Sequence, residues 1–222
     1  MHSLARRLVA EGVGTALLLA VVIGSGIMGE RLSGGNVAIA LLANAIATGC
    51  ALAAVIYVFA PISGAHLNPA VTLSMAVSRK QRWSETLPYI AAQIAGAFAG
   101  VAAAHLMFDE PLFFASLKAR AGPSQWWSEF IATFGLLVIV WGCLRQRLVA
   151  APLAIGAYIT AAYWFTASTS FANPAVTLAR AASNTFAGIR PGDVPPFVVA
   201  ELLGAAAATL FTHWLYGGGQ DA

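Results

Sequence analysis

The chain has 222 residues, of which 59% are hydrophobic and only 9% charged, with a mean hydropathy of +0.76 and a formal net charge of +3. Ordinary globular domains carry about 25% charged residues, so this composition excludes a soluble fold. The basic excess sits in short clusters between apolar runs, which makes it an orientation signal rather than a nucleic-acid footprint.

A spanning helix needs about 20 apolar residues to cross roughly 30 Å of hydrocarbon. The first candidate runs from about 5 to 28. Arg6 and Arg7 ahead of an apolar run give it the outline of a secretory signal, but Glu11 interrupts that run and its length suits a span. The second span covers 36 to 60. A short apolar stretch then starts at Pro69, directly after Asn68, and its ten or so residues reach only about 15 Å at 1.5 Å per residue. It is half a span. Spans follow at 87 to 108, 125 to 146 and 150 to 168, a second short stretch starts at Pro174 after Asn173, and a sixth span covers 195 to 216. The tail from Gly217 to Ala222 contains no evident regulatory segment. Cys50 and Cys143 lie inside apolar segments and imply no disulfide framework.

The order span, span, half-helix, span occurs twice, and the residues repeat with it. Asn-Pro-Ala-Val-Thr-Leu stands at 68 to 73 and again at 173 to 178; Ala-Glu-Gly-Val-Gly-Thr (10 to 15) answers Ser-Glu-Phe-Ile-Ala-Thr (128 to 133); Ala-Gln-Ile-Ala-Gly-Ala (92 to 97) answers Ala-Glu-Leu-Leu-Gly-Ala (200 to 205). Three spans per copy is an odd number, so the second copy (about 125 to 216) is inverted relative to the first (about 5 to 108), and the half-helices enter from opposite faces. The expectation is one all-α membrane domain over 1–222, with six transmembrane helices and two re-entrant half-helices. Seven basic residues (Arg6, Arg7, Arg79, Lys80, Arg82, Arg145, Arg147) fall on one side and five (Arg31, Lys118, Arg120, Arg180, Arg190) on the other. That bias puts both termini in the cytoplasm.

Asn before Pro starts a helix for a physical reason. The Asn side-chain oxygen caps first-turn amides, and Pro fits the first helical position because its absent N–H would have been an orphan. With that oxygen engaged, the amide groups of Asn68 and Asn173 become fixed donors, and the Pro69-Ala70 and Pro174-Ala175 steps carry the helix origins. If both N-termini meet at the midplane, their dipoles add against any cation there. Glu11 and Glu129, at matching repeat positions inside spans, are expected to satisfy the exposed backbone of the re-entrant loops. Gly96-xxx-Gly100 and Gly12-xxx-Ala16 mark close helix contacts. His66, His105 and His213 stand singly, with no carboxylate or cysteine at metal or triad spacing, so no enzyme site, metal or cofactor is expected. His66 either lines a vestibule or packs within its loop.

Ser-Gly-Ala-His-Leu-Asn-Pro-Ala-Val-Thr (63 to 72), the second Asn-Pro-Ala and the paired Glu11 and Glu129 resemble the major intrinsic protein family, the aquaporins and aquaglyceroporins. The resemblance implies a homotetramer in the inner (plasma) membrane, one pore per subunit, passing small neutral solutes through the lipid bilayer. It also implies an outer selectivity filter, which maps to Thr48, Ser170, Val176 and one residue of the fifth span. Counting back from Asn173 without a gap gives Ala161 for the last, and anchoring on Ala151 to Gly156 gives Tyr163. The family normally has Arg after the second Asn-Pro-Ala. Val176 removes five donors and a fixed charge, so the filter should be wider and less polar, like that of a bacterial branch associated with arsenic resistance. Arg180, one turn beyond Val176 on nearly the same face, either leans back into the filter or snorkels to the interface. Glycerol-like polyols and metalloid hydroxides such as arsenous acid are the expected solutes, together with water. The alternatives are a water-selective channel, or a coupled transporter, for which Glu201 is the one further carboxylate at hand.

Overall fold

The computed structural model describes residues 2–217, and within them the chain is helical. The long helices are α1 (Leu4–Leu32), α2 (Val37–Ser63), α4 (Trp83–Phe108), α5 (Pro123–Gln146) and α8 (Val194–Leu215), with α6 (Ala151–Phe165) shorter and α3 (Pro69–Val77) and α7 (Pro174–Arg180) shorter still. Local chemistry sets several boundaries. Ser3 caps α1 and Asn36 caps α2 with their side-chain oxygens, and Gly64 ends α2 in the left-handed conformation at φ 91°.

Five of the helices are long and apolar enough to cross a membrane. The fifth predicted span is corrected: α6 has 15 residues, about 22 Å at 1.5 Å per residue. Helical bonding stops at Thr166, and residues 166 to 173 run as irregular chain with positive φ at Thr169, Ser170 and Ala172. The chain must leave the helix there to bring residues 171 and 172 to Glu129.

The inverted repeat is visible in the packing. The pair α1 and α4 is answered by α5 and α8, and α3 on α4 by α7 on α8; each half-helix also touches the long helix of the other copy, α3 on α8 and α7 on α4. The two small-residue pairs read from the sequence mesh with one another. A Cβ on Gly96 would run into the carbonyl oxygen of Gly12, and one on Gly100 into that of Ala16; in the second copy Gly204 lies equally close to the carbonyl of Phe130. A contact the sequence did not announce joins the copies, where Gly49 of α2 and Gly156 of α6 face each other's carbonyls. Gly96→Ala gains about 1 kcal/mol in helix propensity, yet it must displace backbone rather than a flexible side chain, an overpacking cost of about 1–3 kcal/mol. A lower melting temperature in detergent is the expected result; an unchanged one would show the crossing to be compliant.

Exposed tryptophans gather at the two ends of the bundle: Trp83 and Trp214 begin α4 and end α8, while Trp127 and Trp164 begin α5 and end α6. Such amphipathic rings favour the level of the lipid headgroups.

Candidate functional site

The two half-helices meet end to end at their Asn-Pro starts. Asn68 Oδ1 accepts from Ala70 N at 2.8 Å, and Asn173 Oδ1 accepts from Ala175 N at 3.0 Å and Val176 N at 3.3 Å. The amide nitrogens are then placed with a symmetry the sequence did not reveal. Asn68 Nδ2 donates to the Ala172 carbonyl at 2.7 Å, and Asn173 Nδ2 donates to the Leu67 carbonyl at 2.8 Å. Each loop therefore fixes the donor of the other. An amide nitrogen has two N–H groups, which leaves one on each Asn for a solute. Both Asn side chains border the central cavity, whereas Pro69, Ala70, Pro174 and Ala175 do not and serve as packing at the junction.

The loops that deliver these residues hold strained backbone. Ala65 and Leu67 have φ of 47° and 51°, and Ser170 and Ala172 have 50° and 50°. Non-glycine residues in this region cost about 1–3 kcal/mol each and persist where the surroundings over-determine them. The determinant is a buried carboxylate in each copy. Glu11 accepts from His66 N at 2.9 Å, Leu67 N at 2.7 Å, Ser63 Oγ at 2.6 Å and Gln93 Nε2 at 2.8 Å. Glu129 accepts from Phe171 N at 2.9 Å and Ala172 N at 2.8 Å. Both are fully buried, and neither borders the cavity.

The cavity itself has a volume of about 1270 Å³. Arg79, Lys80, Arg145 and Arg147 stand at one end, the two Asn residues lie between, and Thr48, Tyr163, Ser170, Val176 and Arg180 border the rest. Among the described residues no acidic side chain borders it. His66 borders it too, and also packs: its Nδ1 lies 3.2 Å from Thr72 Oγ1 and its ring is tilted against Tyr89 at 5.4 Å. No group of three or more metal-ligating side chains occurs among the described residues.

Of the two residues that counting offered on the fifth helix, Tyr163 is buried at the cavity, where its hydroxyl donates to Thr48 Oγ1 at 3.3 Å. Ala161 is exposed on the opposite face and does not border the cavity. Helix phase explains the correction, since two residues are about 200° apart around a 3.6-residue turn. Ser170 Oγ is buried with no hydrogen bond from the protein. Val176 is 4% exposed and packs with Leu18 and Val22.

Arg180 does not extend to an interface. It is 1% exposed, its Nε donates to the Ala187 carbonyl, and its guanidinium lies over the Phe171 ring, 3.3 Å from the centroid. Arg120, which sequence reasoning treated only as a loop charge, approaches the same ring at 4.9 Å. It donates to Ser168 O at 2.9 Å and Gly188 O at 2.8 Å, tying the second re-entrant loop to the segment before α8. Burial pulls this guanidinium down to about 10, opposed by the Glu129 carboxylate, so it stays charged at neutral pH. A basic residue in a polar connection carries no mark of burial in the sequence. Gln93 was equally silent, legible only as part of a repeated hexapeptide.

Residues 1–171 match the sequence profile of the major intrinsic protein family. The chain is similar to the aquaglyceroporin AqpS of Rhizobium meliloti, 55% identical over 212 residues that cover 96% of this chain and 91% of the relative. It is also similar to aquaporin NIP2-3 of Zea mays, at 33% identity over 96% of this chain and 69% of the relative. Among solved structures, the aquaglyceroporin from Plasmodium falciparum superimposes with a TM-score of 0.78 over 97% of this chain and 98% of that one, at 21% identity, a likeness of fold.

Proposed function

The chain belongs to the major intrinsic protein family, whose members are membrane channels and not enzymes, and on that premise we propose that it passes glycerol-sized polyols and metalloid hydroxides such as arsenous acid, together with water, down their gradients. The observation that carries this reading is Val176, apolar and buried at the cavity in the position after the second Asn-Pro-Ala. Thr48, Tyr163, Ser170, Val176 and Arg180 form the outer filter in this reading. An apolar wall at Val176 suits carbon-bearing or weakly hydrated solutes, and the unpartnered Ser170 hydroxyl offers them a donor and an acceptor. The midplane Asn amides supply two more donors, with the dipoles of α3 and α7 set against cations.

The absence of acidic side chains from the cavity border among the described residues favours passive flow over proton coupling, since coupled carriers place titratable groups beside the substrate. We place the protein in the inner membrane as a homotetramer with both termini in the cytoplasm, following the seven-to-five basic bias and the bacterial relative.

Proteoliposome flux of water, glycerol and arsenite tests the proposal. Non-saturating glycerol and arsenite flux that ignores proton and sodium gradients is expected; water flux alone would replace it with a water-selective channel. In the same assay Arg180→Ala should admit solutes larger than glycerol, because the guanidinium at the cavity border is the remaining bulky polar group one turn beyond Val176. Unchanged selectivity would assign Arg180 to holding Phe171 and the Ala187 carbonyl alone.

A further inference from the structure

The two copies of the repeat scaffold their loops with different chemistry at one position. In the first copy Gln93 of α4 bridges the carboxylate and a half-helix hydroxyl: its Nε2 donates to Glu11 at 2.8 Å and to Thr72 Oγ1 at 2.9 Å. The matching residue of the second copy is Glu201 of α8, and the matching hydroxyl is that of Thr177, which donates to Glu201 Oε1 at 2.5 Å. Asn173 N donates to the same oxygen at 3.2 Å. Glu129 accepts from Ala172 N and Glu201 from the next amide along the chain, Asn173 N, so the two carboxyls stand side by side on adjacent backbone donors. Glu201 is fully buried, and its Oε2 has no hydrogen-bond donor.

An ionised carboxylate can only accept hydrogen bonds. Glu129 already accepts from two backbone amides, so the group facing it must donate, as Gln93 does toward Glu11. Two ionised carboxylates side by side in a buried site would repel without a solvent screen. We propose that Glu201 is a protonated carboxylic acid whose Oε2–H donates to the Glu129 carboxylate, so that the second re-entrant loop is held by an acid–carboxylate pair sharing one proton. Each half-helix start is then backed by one negative charge: Glu11 beside a neutral amide, Glu129 beside a neutral acid. Glu201 is a positioning residue, since it does not border the cavity.

The charged and titratable groups around it are few. α5 contributes Glu129, α7 contributes Arg180 and the connection before α5 contributes Arg120, both guanidiniums held at the Phe171 ring, while the α6 hydroxyl of Tyr163 is engaged by Thr48. The turn before α8 contributes Asp193, already engaged by Arg190 and by the Arg120 amide, and α3 contributes no titratable side chain. Alkali removes the shared proton: hydroxide takes it to form water and leaves two carboxylates in contact. Their repulsion acts on the Glu129 bonds to Phe171 and Ala172, and Ala172 carries the carbonyl that fixes Asn68. Solute flux should therefore fall as pH is raised, in the direction in which the proton is lost.

The test uses the full chain in proteoliposomes, with Glu201→Gln and Glu201→Ala beside wild type. Infrared spectra at neutral pH should show a buried protonated carboxyl band in wild type that disappears in Glu201→Gln. Glycerol flux in wild type should decline several-fold at alkaline pH. Glu201→Gln, which restores the first copy's amide, should keep neutral-pH flux and lose the alkaline decline, and Glu201→Ala should lose flux at every pH. A wild type without the band, a band that persists in Glu201→Gln, an equal alkaline decline in both, or a Glu201→Gln that does not fold would each overturn the proposal. If wild type passes no glycerol at all, the channel reading fails while the infrared comparison still decides the shared proton.

Discussion

Val176→Arg is expected to cut glycerol and arsenite flux by about tenfold or more while largely sparing water, an added barrier of about 1.4 kcal/mol for the larger solutes. The side chain at 176 borders the cavity and rests on Leu18 and Val22. A guanidinium there would project into the cavity, adding five donors and a fixed charge. It would also stand one turn from Arg180, with Arg120 beyond on the Phe171 ring. Like charges at that spacing disfavour each other, so the new side chain should be driven toward the open space, the direction that narrows the path. Stopped-flow scattering for water and glycerol with tracer uptake for arsenite would measure the split, with gel filtration confirming an intact fold. Equal permeation of the larger solutes by both proteins would sink the filter argument.

Glu11→Ala should remove function by a different route. Four buried donors lose their acceptor at once: the amides of His66 and Leu67, the Ser63 hydroxyl and the Gln93 amide. An orphaned buried donor costs about 1–3 kcal/mol, so the sum approaches the whole stability of a typical domain, about 5–15 kcal/mol. The left-handed Ala65 and Leu67 would lose their tether as well. Loss of the folded protein from detergent extracts, or a folded protein without flux, is the expected outcome. Glu85→Ala is the control, because the partly exposed Arg7–Glu85 pair should contribute only about 0–1 kcal/mol. Similar melting temperatures for the two variants would refute the role given to Glu11.

Much of the scaffold was legible because its signals are local or repeated. Asn before Pro has one mechanical meaning at a helix start, and the matched positions of Glu11 and Glu129 in apolar spans left them little to do except serve displaced backbone. What stayed hidden depends on three-dimensional phase. Past Phe165 the run Thr-Ala-Ser-Thr-Ser is polar but holds neither Gly nor Pro, so no helix stop in the residues marks where α6 releases the chain. The left-handed conformation is read from sequence through Gly or Asn, whereas here Ala65, Leu67, Thr169, Ser170 and Ala172 adopt it, two in the first loop and three in the second, each loop held by a remote carboxylate. The choice between Ala161 and Tyr163 needed the phase of a helix whose downstream loop had no fixed length. Periodicity left two courses open for Arg180, and its descent onto Phe171 rests on an aromatic partner nine residues earlier.

The cross-bonds at the midplane also set a schedule for biogenesis. The carbonyl that receives the Asn68 amide belongs to Ala172, 104 residues downstream. At about 5–20 residues per second, the ribosome needs roughly 5–20 s to travel from one to the other. For that interval the first re-entrant loop is synthesised and inserted without its partner, and the two halves become a single closed structure only as the second loop arrives.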